Sequence, residues 1–262
     1  MTLKFIILGS GSSLGVPRID GFFGACNPNI KRNYRSRCSA LIKTKNMNII
    51  IDTSPDIKMQ LTKNNVTKID AVLYSHFHAD QTHGINDLRG FYLSNKLKIP
   101  LYADTFTKKY LASTFNYCFK QENFKERKGY PPIMILKQLK KINYFYGDKS
   151  NIKIRSISVK HGNINCMSFI INDKLAYASD VSKIYMRDFK YFKNLEYLVV
   201  DCLRYESHPS HFNLDQVLKL VKILKPKKTI LTNLGVDIDY KEIKKRIPKN
   251  IIPGYDGMTI NL

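Results

Sequence analysis

No stretch of this 262-residue chain is apolar for long enough to cross a bilayer. The opening MTLKFIILGSGSS holds only a four-residue apolar run, Phe5 to Leu8, too short for the core of a secretory leader. Paired cysteines are missing as well: the five present, at 26, 38, 118, 166 and 202, are odd in number, scattered and without a C-x-x-C pair. That argues against a disulfide framework and for a reducing compartment, so a cytoplasmic location is expected. Cys118, Cys166 and Cys202 sit in apolar surroundings and read as small core residues. Low-complexity segments, fixed-period repeats and Pro/Gly/Ser-rich linkers are also absent, and one domain from 1 to 262 is expected.

Acidic residues are scarce beside basic ones, 21 against 43, for a net charge of +22. Such an excess invites a nucleic acid or another polyanion. Most of it, however, is lysine spread along helix faces, as in LKLVKILKPKK and YKEIKKRI, the pattern of a solvated surface. No RNA-gripping arm or aromatic–basic module accompanies it. Nucleic acid is not the favoured partner, no membrane partner is expected, and a homodimer is left open. The loop KRNYRSR, carrying Arg32, Arg35 and Arg37, is the better candidate for contacting phosphate, because guanidinium can grip it bidentately.

What the chain does contain is a run of potential metal ligands. SHFHADQTHG, residues 75–84, brings His76, His78, Asp80 and His83 within eight positions. His76 and His78, two apart on an extended or turning segment, can reach one ion, and His161, followed by Gly162, can supply a third nitrogen. Three protein ligands plus one water is the layout of a catalytic zinc site. The setting favours the metal reading. Short apolar strands are expected at 3–8, 39–44, 48–52, 71–75, 99–103, 152–159, 167–171, 175–179, 197–201 and 228–233, with a last one near MTINL. Helices are expected at about 55–64, 105–119, 213–225 and 239–247. His76, His161, Asp180, Asp201 and Asn233 all fall at strand ends, where layered folds build sites on short loops. Strands in two runs, each finished by helices, suggest two packed sheets with helices outside.

SHFHAD, the HG at 161, the ASD ending at Asp180 and the closing GYDGM resemble the metallo-β-lactamase-fold hydrolases. The opening LGSGSSLGVP and the following ACNPN...RNYRSRCSALI look most like the PhnP-like cyclic phosphodiesterases, and more distantly like tRNA 3′-processing endonucleases. The resemblance runs from Leu3 to Leu262 and implies an α/β four-layer αββα sandwich. It assigns His76, His78 and His161 to a first metal, Asp180 to the carboxylate that bridges two metals, and Asp80 to the second metal. It assigns His211 to the proton donor for the leaving oxygen. Two positions depart from the pattern. Where the family has the other second-metal histidines, this chain has Gln81 and Asn233.

Three arrangements are open: one transition metal (Zn or Mn) on the three histidines with a weak second site; an all-oxygen second site of Asp80, Asp180, Gln81 and Asn233 that prefers a harder cation such as Mn²⁺ or Mg²⁺; or His83 as a substitute ligand. The structural zinc that PhnP-like proteins often carry is not expected, since Cys26 is alone in its loop and the late position is Val236. The expected reaction is hydrolysis of a small or cyclic phosphodiester. Metal-bound water, its pKa lowered from ~15.7 towards ~7, would supply hydroxide, oriented by Asp80 and Asp180, with His211 as general acid. The Arg32/Arg35/Arg37 loop and the backbone N–H groups of LGSGSSLG are expected to face the phosphate. An ester, thioester or lactone hydrolase on the same fold, or a non-catalytic or RNA-associated protein with a decayed second site, are the alternatives. No role is assigned to His208.

Overall fold

Runs such as NIII bury both faces at once, which is what a strand inside a stack of layers requires. In the computed structural model, which describes residues 3–120, 131–147 and 150–262, such runs become two seven-stranded sheets. The first holds β1 (Lys4–Gly9), β2 (Ser39–Lys43), β3 (Asn48–Ile51), β4 (Ala71–Leu73), β5 (Ile99–Ala103) and β6 (Met134–Gln138). The second holds β7 (Ile142–Gly147), β8 (Ser150–His161), β9 (Ile164–Ile171), β10 (Leu175–Ala178), β11 (Tyr197–Asp201), β12 (Lys228–Thr232) and β13 (Ile251–Pro253). The last strand, β14 (Met258–Asn261), returns to the first sheet beside β1. The orders are β14-β1-β2-β3-β4-β5-β6 and β13-β12-β11-β10-β9-β8-β7.

The helices are α1 (Ile57–Lys63), α2 (Ala79–Thr82), α3 (Arg89–Asn95), α4 (Thr105–Thr114), α5 (Phe189–Phe192), α6 (Leu214–Leu224) and α7 (Tyr240–Arg246). Side chains alternate between the two faces of each strand. Ile49 and Ile51 of β3 pack with Phe169, Tyr177 and Val199 of the opposite sheet, while Ile50 turns outward to Ile57 and Leu61 of α1. On the other side Val159, Ala178 and Val200 meet Val217, Leu220 and Leu224 of α6. Three apolar layers thus separate helix, sheet, sheet and helix, the αββα sandwich expected.

Helix α6 shows how local sequence seats an element. Asn213 and Gln216 form a capping box, and Leu214, Val217, Leu220, Val221 and Leu224 repeat at helical spacing on the buried face. Each such side chain contributes roughly 1.5–3 kcal/mol by leaving water. Lys225 ends the helix in the left-handed region, and Pro226 follows.

The expected helix 105–119 is shorter. It stops at Thr114, where Phe115 leaves helical geometry to bury its ring, and a 3-10 turn covers Asn116–Cys118. The sequence reading omits β6, β7 and β13 and the short helices α2, α3 and α5. Strands β6 and β7 lie at sheet edges and carry exposed residues between buried ones, which blurs an apolar-run signal.

Strands β3 and β4 are parallel, as are β10, β11 and β12. Strand β8 is antiparallel to β9, which is antiparallel to β10, so His161 at the end of β8 emerges at the same edge as Asp180 and Asp201. The sheets are tied there by Met167 N–H to Ser75 O (2.9 Å) and Leu234 N–H to Ser10 O (2.9 Å). No described helix is long and apolar enough to cross a membrane.

Candidate metal centre

The segment after β4 is held by Asp52, a buried residue just past β3 whose Oδ1 accepts Ser75 N–H at 2.7 Å. The next residue, His76, is fully buried. Its Nδ1 lies 3.0 Å from Ser75 Oγ and 3.6 Å from Cys166 Sγ, while its Nε2 is buried with no protein partner. His161 Nδ1 bonds the carbonyl of Ser210 at 2.7 Å, which leaves its other ring nitrogen free. His78 completes the group. Ligand atoms of the three lie within 4.8 Å of one another, and the ring centroids are 4.5–5.2 Å apart.

A buried imidazole nitrogen without a partner is costly in an ordinary core. Here the electrostatics also keep the rings neutral, with lone pairs available. Burial, then the neighbouring His161 and His78, hold His76 far below the usual imidazole range. Burial and the charge of His211 bring His161 down to about 4, against the opposing Ser210 hydrogen bond. Burial likewise lowers His78, with Asp80 opposing. Neutral imidazoles converging on one point fit a divalent transition metal, and the fold implies one.

The second group gathers around Asp180, which follows β10. Gln81 Nε2 donates to Asp80 Oδ2 (3.1 Å) and Asp180 Oδ2 (3.2 Å). Asn233, at φ 58°, donates through Nδ2 to Ser179 O (2.9 Å) and Asp180 Oδ1 (3.3 Å). A carbonyl can only accept, so the Ser179 contact fixes which end of the Asn233 amide is nitrogen. Turning Gln81 would set its oxygen against two carboxylates. Both amides therefore offer N–H groups to Asp180, where histidines would offer lone pairs to a cation. Burial, then mutual repulsion with Asp80, raises Asp180 above the usual carboxylate range; burial does the same to Asp80.

His211 stands beside both groups: His161, Asp180 and His211 also have ligand atoms within 4.8 Å of one another. Its Nδ1 donates to Asp201 Oδ2 at 2.7 Å, and that oxygen also accepts Val181 N–H at 3.0 Å. Burial opposes charge on His211, but Asp201, then Asp180 and Asp80, outweigh it and raise the imidazole to about 9. Sequence reasoning noted Asp201 only as a strand-end residue; its pairing with His211 follows from the fold. The same holds for Asp52, Ser75 and the Ser210 carbonyl, which set the rings of His76 and His161. His208 accepts Ser210 N–H on Nδ1 (3.2 Å), with its ring 5.1 Å from that of His211.

Several expected participants lie elsewhere. Arg35 is buried, donating to Gly235 O (3.2 Å) and Ile238 O (2.7 Å), and Arg32 stacks on Tyr240 and Tyr255. These two arginines tie the loop to the α7 region rather than meeting a substrate. Arg37 pairs with Asp56 at 3.0 Å, and its charge is felt at Asp80. The N–H groups of Ser10, Gly11, Ser12 and Gly15 bond within the fold, so this loop does not offer them to a phosphate. His83 is not gathered with the ligands: its ring packs on Phe115 at 5.3 Å. Where a PhnP-like structural zinc would lie, Cys26 Sγ contacts the carbonyls of Val236 and Ile238 at 3.3 Å each.

Residues 47–232 match the family model of the beta-lactamase superfamily domain. An octanoyltransferase of Porphyromonas gingivalis (strain ATCC BAA-308 / W83) is 27% identical over 261 residues, 98% of this chain and 51% of that protein. The chain thus spans about half the length of this curated relative. Among solved structures, a diphosphatase from the PhnP family is 27% identical with a TM-score of 0.88, covering 100% of this chain and 98% of that one. Zn(2+)-bound PqqB from Methylobacterium extorquens is 14% identical with a TM-score of 0.79, covering 99% and 100%. At that identity the likeness shows the fold alone.

Proposed function

The chain belongs to the beta-lactamase superfamily, as a metallo-β-lactamase-fold hydrolase related to the PhnP family, and we propose that it hydrolyses small phosphodiesters, cyclic ones included, with one firmly held divalent metal. One observation carries this reading: three neutral imidazoles converge on the unpartnered Nε2 of His76, beside a carboxylate pair and a His211 charged by Asp201. The diphosphatase neighbour supports phosphorus as the electrophile.

His76, His78 and His161 would hold the metal, Zn²⁺ or Mn²⁺, which supplies Lewis acidity and brings the pKa of a water from ~15.7 towards ~7. Asp80 and Asp180 accept hydrogen bonds from the attacking water and so orient it towards phosphorus. The N–H groups of Gln81 and Asn233 grip both oxygens of Asp180 and take part of the charge-balancing role of a second cation. A cation seated there would have to turn both amides, so the second site is weak and favours harder ions such as Mn²⁺ or Mg²⁺. His211, its Nδ1 fixed by Asp201, carries a proton on Nε2 for the leaving alkoxide, a role worth ~10²- to 10⁴-fold. All five cysteines are buried and free, which supports a cytoplasmic setting.

The test is turnover of bis(p-nitrophenyl) phosphate and a ribose cyclic phosphate, with Zn²⁺ and Mn²⁺ supplied separately and p-nitrophenyl phosphate for comparison. Diester cleavage well above monoester cleavage is expected, because one cation and two carboxylates suit a single negative charge better than two. The octanoyltransferase relative favours a second reading, acyl hydrolysis, and thioesters and lactones belong in the same assay. Turnover of an acyl substrate with every diester ignored would overturn the phosphodiester reading.

A further inference from the structure

A cavity of about 450 Å³ opens between the segment that joins β6 to β7, the middle of β8 and the residues around α5. None of the candidate metal ligands lines it. Its charge is lopsided. Lys140, Lys141 and Arg155 all border it, and none of them forms an ion pair among the described residues.

The two acids on its wall are already engaged. Asp104 caps α4, accepting from Phe106 N–H, Thr107 N–H and the Thr107 hydroxyl, and Asp188 lies 3.6 Å from Arg187.

Arg155 is the informative residue. Its guanidinium lies over the Tyr191 ring, 4.5 Å from the centroid, and its Nε is buried with no protein partner. The next residue, Ser156, also lines the cavity. A buried N–H on a charged group costs more to leave unbonded than a neutral one, and an acceptor brought beside Arg155 would offset that cost. An arginine fixed against an aromatic ring presents its planar fork to an oxyanion. The two flexible lysines add charge on a scale that suits a dianion. Leu139, Ile157 and Met167 supply an apolar floor that a bare inorganic ion would leave uncovered. The volume lies within the range of small-molecule sites, about 300–1,000 Å³.

We infer that this cavity binds a small organic phosphomonoester, its phosphate on Arg155, Lys140 and Lys141 and its organic body over Leu139 and Met167. None of the candidate metal ligands lines the site, and the inference does not depend on the reaction proposed at the metal centre.

Calorimetric titration of the full chain with adenosine monophosphate, ribose 5-phosphate and inorganic phosphate tests it. The two organic phosphates should bind at one per chain, and inorganic phosphate about tenfold or more weakly. Arg155→Gln should weaken binding about tenfold or more, the scale of one charge-assisted hydrogen bond. So should the Lys140→Ala, Lys141→Ala double variant, whose exposed side chains can be removed without disturbing the core, and which decides the matter if Arg155→Gln misfolds. His76→Ala should bind as the wild type does. The inference falls if no organic phosphate saturates the protein, if inorganic phosphate binds equally well, or if the double variant binds unchanged. Loss of binding in His76→Ala would also overturn it, by placing the phosphate at the metal centre.

Discussion

Replacing Asp201 by asparagine separates charge from geometry at the proposed proton donor. An amide oxygen still accepts the two hydrogen bonds that Asp201 Oδ2 takes from Val181 N–H and His211 Nδ1, so the ring stays in place while the negative charge goes. Asp201 is the main cause of the rise of His211 to about 9. Without it only Asp180 and Asp80 oppose burial, and His211 should fall towards its ordinary value of about 6.5. At pH 8 the protonated fraction then drops from ~90% to ~3%, a loss of about 30-fold in available general acid. At pH 6 both proteins remain largely protonated and the gap should nearly close. The assay is the pH–rate profile on an alkyl phosphodiester, with a p-nitrophenyl diester as control, because a good leaving group needs no proton. A metal ion held by the three histidines lowers His211 in both proteins, so the comparison is between whole profiles. A loss that is uniform across pH, or equal on both substrates, would refute the reasoning and leave Asp201 a purely structural residue.

The same pair bears on stability. The raised pKa of His211 gives stabilisation that is fully present below about 6.5 and is lost as the pH climbs through about 9. It is worth about 3 kcal/mol, and the rise of buried Asp201 to about 6 costs about the same. The two shifts oppose each other near neutral pH, so the pair is a poor source of net stability.

Elemental analysis of the purified protein should find about one tightly held transition metal per chain, and Gln81→His with Asn233→His should raise it to two; two tight zinc ions in the wild type would refute the one-metal reading. His76→Ala should lose both the tight metal and nearly all activity, and full metal retention in this variant would remove His76 from the ligand set. Gly84→Ala should destabilise the fold by about 3 kcal/mol in urea unfolding, because a Cβ there would lie 2.0 Å from Ser54 O and 2.6 Å from Ile57 Cγ2. A loss below about 1 kcal/mol would mean the α1–α2 junction yields more easily than its packing implies.

Much of the fold is legible along the chain because its strands and helices carry local signals. The runs IPLYA and YLVVD become β5 and β11 at their expected bounds, and Asn213 caps α6 as its position suggests. Strands β6 and β7 are not legible, since an edge strand that shows one face to water needs no continuous apolar run. The KRNYRSR loop misleads for a related reason. Composition marks it as basic, but the burial of Arg35 depends on the carbonyls of Gly235 and Ile238, 200 and 203 positions away.

For the site, sequence alone determines which side chains are available, His76, His78 and His161 as candidate nitrogen ligands, Asp80 and Asp180 as carboxylates, and amides at 81 and 233 in place of histidines, and that His76, His161, Asp180 and Asn233 stand at strand ends. What those amides do is decided only in three dimensions. Gln81 meets Asp180 across 99 positions and Asn233 meets it across 53. Which end of each amide faces the carboxylate follows from acceptors that distant strands bring there. The charge on His211 is likewise set by Asp201 through a 2.7 Å contact at the end of β11. Residue identity fixes the chemical repertoire, but the direction of a hydrogen bond and the sign of a pKa shift depend on partners within a few ångströms, and those partners are assembled by the packing of the two sheets.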